Sequence, residues 1–275
     1  MQTILTYAFS VFLAPKGIIE EIHTKMSRMW WKNNDKARGW AMMAWEKMCY
    51  PKGMGGMGFR DLQLFNLALL GRQVWRLMTH MDTLCFKVLS AKYFPKGDVF
   101  SYKQGDKPSF TWTSIAKAVD ALKDGFLWQV GDGNTIDIRK DHWGVDGIQG
   151  ELVCRSSFNH DERVVKDLWD HNYKRWNRER IIEIYGESLG ECICNLPIPH
   201  NGIKDTRVGM QNPHGLYTSK SAYSWLLLKK VGLGPHRFFW HALWKLQMLP
   251  KIKIFSWRIG HNILPTFDNI AHIRS

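Results

Sequence analysis

The sequence predicts a mainly α fold with two small β-hairpins, an α+β chain arranged in two lobes. Three observations predict it. Apolar residues recur at helical spacing through most of the chain, and two pairs of short alternating runs flank turn residues. A polar, aperiodic stretch at 151–175 then reads as a linker between an N-terminal segment, 1–150, and a C-terminal segment, 176–275.

Taken in order, residues 1–31 read as helix interrupted at Pro15, with Ile18, Ile22 and Met26 one turn apart and Trp30-Trp31 closing the segment as core. Asn33-Asn34-Asp35 is a turn before Ala41–Met48. The loop from Pro51 to Asp61 contains Gly53, Gly55 and Gly58 at the G-x-G-x-x-G spacing. A dinucleotide fingerprint needs a buried strand before it and an acidic residue about 20 positions later. Pro51 follows no apolar strand, so turn chemistry explains the glycines. Asp61 is placed to cap a helix to about His80, whose stripe is Leu67, Leu70, Val74, Leu77 and Met81. Arg72 and Arg76 share another face, one turn apart, suited either to phosphate or to solvent.

Ser109 caps the next helix, with Trp112, Ile115, Val119 and Leu122 on its stripe, and Asp124-Gly125 ends it. A hairpin of Phe126–Val130 with Thr135–Ile138 follows across Gly131–Asn134, with Trp143 beneath. Asn177 caps a helix through Ile181, Tyr185 and Leu189 that ends before Leu196-Pro197-Ile198-Pro199. A second hairpin pairs Asp205–Val208 with Leu216–Thr218, and Ser219 caps a helix through Ala222, Tyr223, Leu226 and Leu227.

Trp240, Leu243, Trp244 and Met248 form another helical stripe, and Pro250 suits the first turn of a further helix. There Ile252, Phe255 and Ile259 form the apolar line and Lys251, Lys253 and Arg258 a basic polar side. Leu264-Pro265 ends that helix, and Thr266 caps a third through Phe267, Ile270 and Ile273.

The residues Trp240, Leu243-Trp244, Pro250-Lys251, Lys253, Phe255, Trp257-Arg258 and Leu264-Pro265-Thr266 resemble the start of the reverse-transcriptase zinc-binding domain of plant LINE-type retroelement polyproteins. Upstream, Trp30-Trp31, Trp45, Pro51-Lys52, the run Gly55–Leu62, Phe65-Asn66, Trp75-Arg76-Leu77 and Ala91–Pro95 resemble the same polyproteins. Trp128, Gly131-Asp132-Gly133, Asp141, Trp143 and Gly215–Tyr223 extend the match, while Gly209 or Met210 stands where the family carries a tryptophan. The resemblance implies the region after the polymerase palm, running into the zinc-binding domain. In that family the zinc ligands, Cys-x-x-Cys followed by His and Cys, come after the third helix. They are expected beyond Ser275, so no cofactor or metal is expected here.

With 45% apolar residues, the 275-residue chain belongs among globular proteins. Five cysteines, Cys49, Cys85, Cys154, Cys192 and Cys194, are too few and oddly numbered for a disulfide framework, which points to reduced thiols in an intracellular setting. The apolar run Ile4–Ala14 is about half the ~20 residues of a membrane helix and has no basic stretch before it, so neither a signal peptide nor a membrane is expected.

The net charge of +13 is uneven: residues 1–100 carry 14 basic and 7 acidic side chains, 101–200 carry 13 and 16, and 201–275 carry 11 and 2. Basic ends around an acidic middle suit an extended polyanion held at two places, although a basic soluble protein with no ligand has the same balance.

Catalytic chemistry finds no support. A reverse transcriptase clamps two metal ions with aspartates, and no Asp-Asp pair occurs in the chain. Asp132, Asp137 and Asp141 sit in a turn-rich stretch where aspartate is ordinary turn chemistry. Cys192, Cys194 and His200 lack the C-x₂₋₄-C spacing of a structural zinc site. The expected function is therefore a non-catalytic fragment that binds RNA or DNA. Lys245, Lys251, Lys253, Arg258 and Arg274 are the first contacts and Arg72 and Arg76 the second, with tryptophans stacking on bases. Two alternatives are a partial copy with no ligand, whose tryptophans are core, and an accessory piece that contacts other retroelement proteins.

Overall fold

In a computed structural model the described residues are 2–32, 41–103, 107–144, 162–170, 175–199, 202–209, 214–232, 237–264 and 266. Pro15, at φ −56° and ψ 138°, separates helix α1 (Gln2–Val11) from α2 (Lys16–Trp31). The apolar line of α2 runs through Ile19, Ile22 and Met26, and Ile18 is exposed. A short helix, α3 (Trp45–Met48), leads into the glycine-rich loop.

Helix α4 (Leu62–Thr79) starts at Asp61, whose Oδ1 accepts the N–H groups of Gln63 and Leu64 at 3.0 and 3.2 Å. Two orphan donors of the first turn are thereby satisfied, as an N-cap requires. Thr83 caps α5 (Leu84–Tyr93) and Ser109 caps α6 (Phe110–Leu122) by the same geometry. Asn177 caps α7 (Arg178–Cys194), which is kinked where Gly186 takes φ 77°. Helix α8 (Ser219–Val231) is capped by Thr218 rather than by the expected Ser219: Thr218 Oγ1 accepts from Ser221 N at 3.1 Å. Pro250 opens α10 (Pro250–Gly260) behind α9 (Arg237–Lys245). The helix expected over Phe267, Ile270 and Ile273 lies outside the described residues.

Among the described residues two small antiparallel sheets complete a mainly α fold, but their strands pair differently from the hairpins expected. Strand β1 (Phe126–Gln129) pairs with β4 (Thr206–Gly209), in the register Phe126 opposite Gly209 and Gln129 opposite Thr206. The cause is Asp205. Its carboxylate accepts the N–H groups of Gly131, Gly133 and Thr135 at 2.7–2.9 Å, and Thr135 Oγ1 as well, so the turn after β1 is tied to the chain just before β4. Ile136 and Ile138 exchange backbone bonds with Val165 and Arg163 instead of with β1. The second sheet, β2 (Trp169–Asp170) with β3 (Arg175–Trp176), falls in the stretch expected to be a linker. Val165 and Leu168, from the same stretch, are fully buried.

The chain divides into two compact units, whose bounds differ from the segments 1–150 and 176–275 drawn on the sequence. Residues 1–70 with 223–275 form one and residues 71–222 the other, the divisions falling inside α4 and α8. In the first unit one core gathers Trp31, Met43, Met48, Trp240, Leu243 and Trp257, and another gathers Phe9, Ile19, Leu62 and Leu69. In the second, Ile136, Ile138, Trp143, Leu168, Trp176, Ile181 and Ile193 close a core on which Tyr185 packs. Among the described residues no helix is long and apolar enough to cross a membrane.

Candidate nucleic-acid interface

The glycine-rich loop fixes the C-terminal helices of the first unit. Gly55 and Gly58 take φ 87° and 75°, in the left-handed region open to glycine, and turn the chain back on itself. The carbonyl of Gly55 thereby faces α10: it accepts from Trp257 Nε1 at 2.7 Å and lies 2.6 Å from His261 Nε2. His261 stacks on Trp240 with ring centroids 4.3 Å apart. Burial lowers the His261 pKa below the ordinary 6.5, which favours the neutral ring. The loop joins a helix to a helix, the wrong setting for a dinucleotide site.

This anchoring decides which faces of α9 and α10 meet solvent. Trp240, Leu243 and Trp257 are buried and Trp244 half-buried, with Lys52 Nζ 4.8 Å from its ring centroid. On these two helices Trp240 and Trp257 are therefore turned into the core. On α10 the expectation inverts: Ile252, Phe255 and Ile259, the supposed inner line, are exposed, because Trp257 on the opposite side is the residue drawn inward.

The basic residues separate accordingly. Lys245 and Lys251 are exposed. Lys253 is half-buried, with Nζ donating to the Trp244 carbonyl at 3.2 Å, and Arg258 is half-buried, its guanidinium 5.8 Å from the Trp31 ring centroid. These two hold α10 to its own core before they can hold a ligand. Arg274 lies outside the described residues. Arg72 and Arg76 are exposed on one face of α4, within the second unit.

Sequence reasoning missed Phe238 and misplaced Phe255. Seven residues separate Phe238 from Lys245 and four separate Lys251 from Phe255, so each phenylalanine shares an exposed helix face with a lysine. The spacing was available in the sequence; the inward direction was not.

The carboxylates considered for catalysis serve the backbone. Asp141 Oδ2 accepts from Asp137 N at 2.8 Å, Asp137 Oδ1 from Arg139 N at 2.9 Å, and Asp132 Oδ1 from Asn134 N. Arg207 lies between the rings of Phe100 and Trp128, 4.3 and 4.5 Å from their centroids, and pairs with Asp98 at 3.1 Å. Its burial makes it a structural cation. Cys192 is exposed and Cys194 half-buried at the end of α7, spaced Cys-x-Cys rather than Cys-x-x-Cys.

No protein-family model matches the chain, and no solved structure matches it. A protein of Arabidopsis thaliana provisionally named as a ribonuclease H protein is 25% identical over an alignment covering 97% of this chain, which spans 44% of that relative's length. An uncharacterized mitochondrial protein of Arabidopsis thaliana is 35% identical over 141 residues, 51% of this chain and 92% of the relative. At that identity across nearly the whole of the mitochondrial protein, the chain belongs to its family.

Proposed function

We propose that the chain is a non-catalytic part of a LINE-type retroelement reverse transcriptase that binds RNA or DNA through basic residues. Its motifs resemble the region between the polymerase palm and the zinc-binding domain, and a relative provisionally named as a ribonuclease H protein fits a nucleic-acid context. On this reading the chain supplies neither metal-ion nor polymerase chemistry and serves as a holding surface, alone or beside other retroelement proteins.

One observation carries the reading. Helices α9 and α10, residues 237–260, contain Arg237, Lys245, Lys251, Lys253 and Arg258 and no acidic residue, and the fold leaves Lys245 and Lys251 on open helix faces. Unopposed lysines on a surface attract phosphate by releasing condensed counterions, which makes binding fall with salt. The test is binding of a labelled oligonucleotide by fluorescence anisotropy, beside extension of a primed template. The expected result is binding at low salt that weakens steeply towards physiological salt, with no extension. Absence of binding at low salt contradicts the reading, and so does primer extension.

A further inference from the structure

The exposed faces of α9 and α10 carry more than charge. Phe238 is 88% exposed and Phe255 54% exposed, and Ile252 and Ile259 continue the apolar strip on α10. Exposed apolar side chains are common singly; a line of three along α10, with Phe238 exposed on the helix before it, points to an occupant.

We infer that the bases of a single-stranded nucleic acid lie against Phe238 and Phe255, with the adjoining phosphates at Lys245 and Lys251. The inference rests on the proposed function and narrows it from any polyanion to unpaired strands. Charge selects the occupant. With no acidic side chain on either helix, a second copy seated face to face through the same helices would bring lysine against lysine, whereas a single strand brings planar apolar bases and phosphates together. The spacing agrees: Lys251 and Phe255 lie one turn apart, and Phe238 and Lys245 two turns apart, on the exposed sides of their helices. A duplex keeps its base faces stacked inside, out of reach of these rings. Phenylalanine has no hydrogen-bonding atom with which to read a base edge, so the site takes any base that can stack.

The test uses the full chain and three labelled probes of about 15 nucleotides, the upper range of a single-strand site: oligo-dT, an abasic strand and a duplex. At one low salt concentration, oligo-dT is expected to bind about tenfold or more tightly than the other two. Phe238→Ala and Phe255→Ala are each expected to lose on the order of tenfold on oligo-dT, with the abasic strand unaffected. Lys251→Ala is expected to weaken all three. Both phenylalanines are exposed, so their variants should keep the wild-type melting temperature. Equal affinity for oligo-dT and abasic strand overturns the inference while leaving phosphate binding intact; no binding to any probe overturns both. Sedimentation of the free protein gives a further check: a dimer dissolved by Phe255→Ala would show the strip to be occupied by a second copy and would also overturn the inference.

Discussion

At the scale of single residues, Asp205 does the most with one side chain. One carboxylate accepts three N–H groups and a hydroxyl from a turn about 70 residues earlier in the chain. Asp205→Ala should destabilise the second unit by about 3 kcal/mol, since donors left without an acceptor cost more than the net value of their bonds. Urea denaturation followed by tryptophan fluorescence checks it. Histidine gives a second prediction, in pH. The N–H of Leu62 donates to His23 Nε2 at 3.2 Å, so that nitrogen must be unprotonated, and burial lowers the His23 pKa below 6.5, with Asp61 and Glu20 raising it and Lys230 lowering it in smaller measure. A folded-state pKa below the unfolded one means that the unfolded chain binds more protons in the window between them. The contribution of His23 is therefore full above pH 6.5 and lost as pH falls through the folded value, and His261 acts in the same direction. Thermal melts from pH 7 down to about pH 5 should show a falling melting temperature, and His23→Gln should flatten part of that slope.

At the scale of elements, the glycine-rich loop makes the sharpest prediction. A Cβ on Gly56 would sit 1.9 Å from the backbone oxygen of Tyr50, which cannot move as a side chain can. Gly56→Ala should cost at least about 3 kcal/mol and loosen α10 with the loop, visible as a lowered melting temperature. Caps were legible in the sequence: Asp61, Ser109 and Asn177 each accept the N–H bonds their positions announced, because capping is local chemistry. Strand partners were not. Alternation and a turn signal made Thr135–Ile138 the natural mate of β1, but partners distant in sequence, the Asp205 carboxylate and the backbone of Arg163 and Val165, take it elsewhere. Within the stretch expected to be a linker, Val165 and Leu168 are buried completely, and two residues are too few to show a period.

At the scale of the molecule, the candidate surface was legible in kind and not in detail. Composition placed net positive charge near the C-terminus, and the structure leaves Lys245 and Lys251 open while committing Lys253 and Arg258 towards the core. Which of two helix faces turns inward depends on Trp257 finding the carbonyl of Gly55, a contact across 202 residues that no periodicity encodes. The abundance of tryptophan likewise suggested stacking, whereas on α9 and α10 Trp240 and Trp257 are buried and Phe238 and Phe255 remain exposed. The most direct measurement of the central claim is the salt dependence of oligonucleotide affinity for the chain and for its Lys245→Ala/Lys251→Ala variant. Each phosphate contact on a single strand contributes about 0.7 to the slope of log affinity against log salt, so the double variant should lose roughly 1.4. A slope unchanged by the two substitutions would contradict the account.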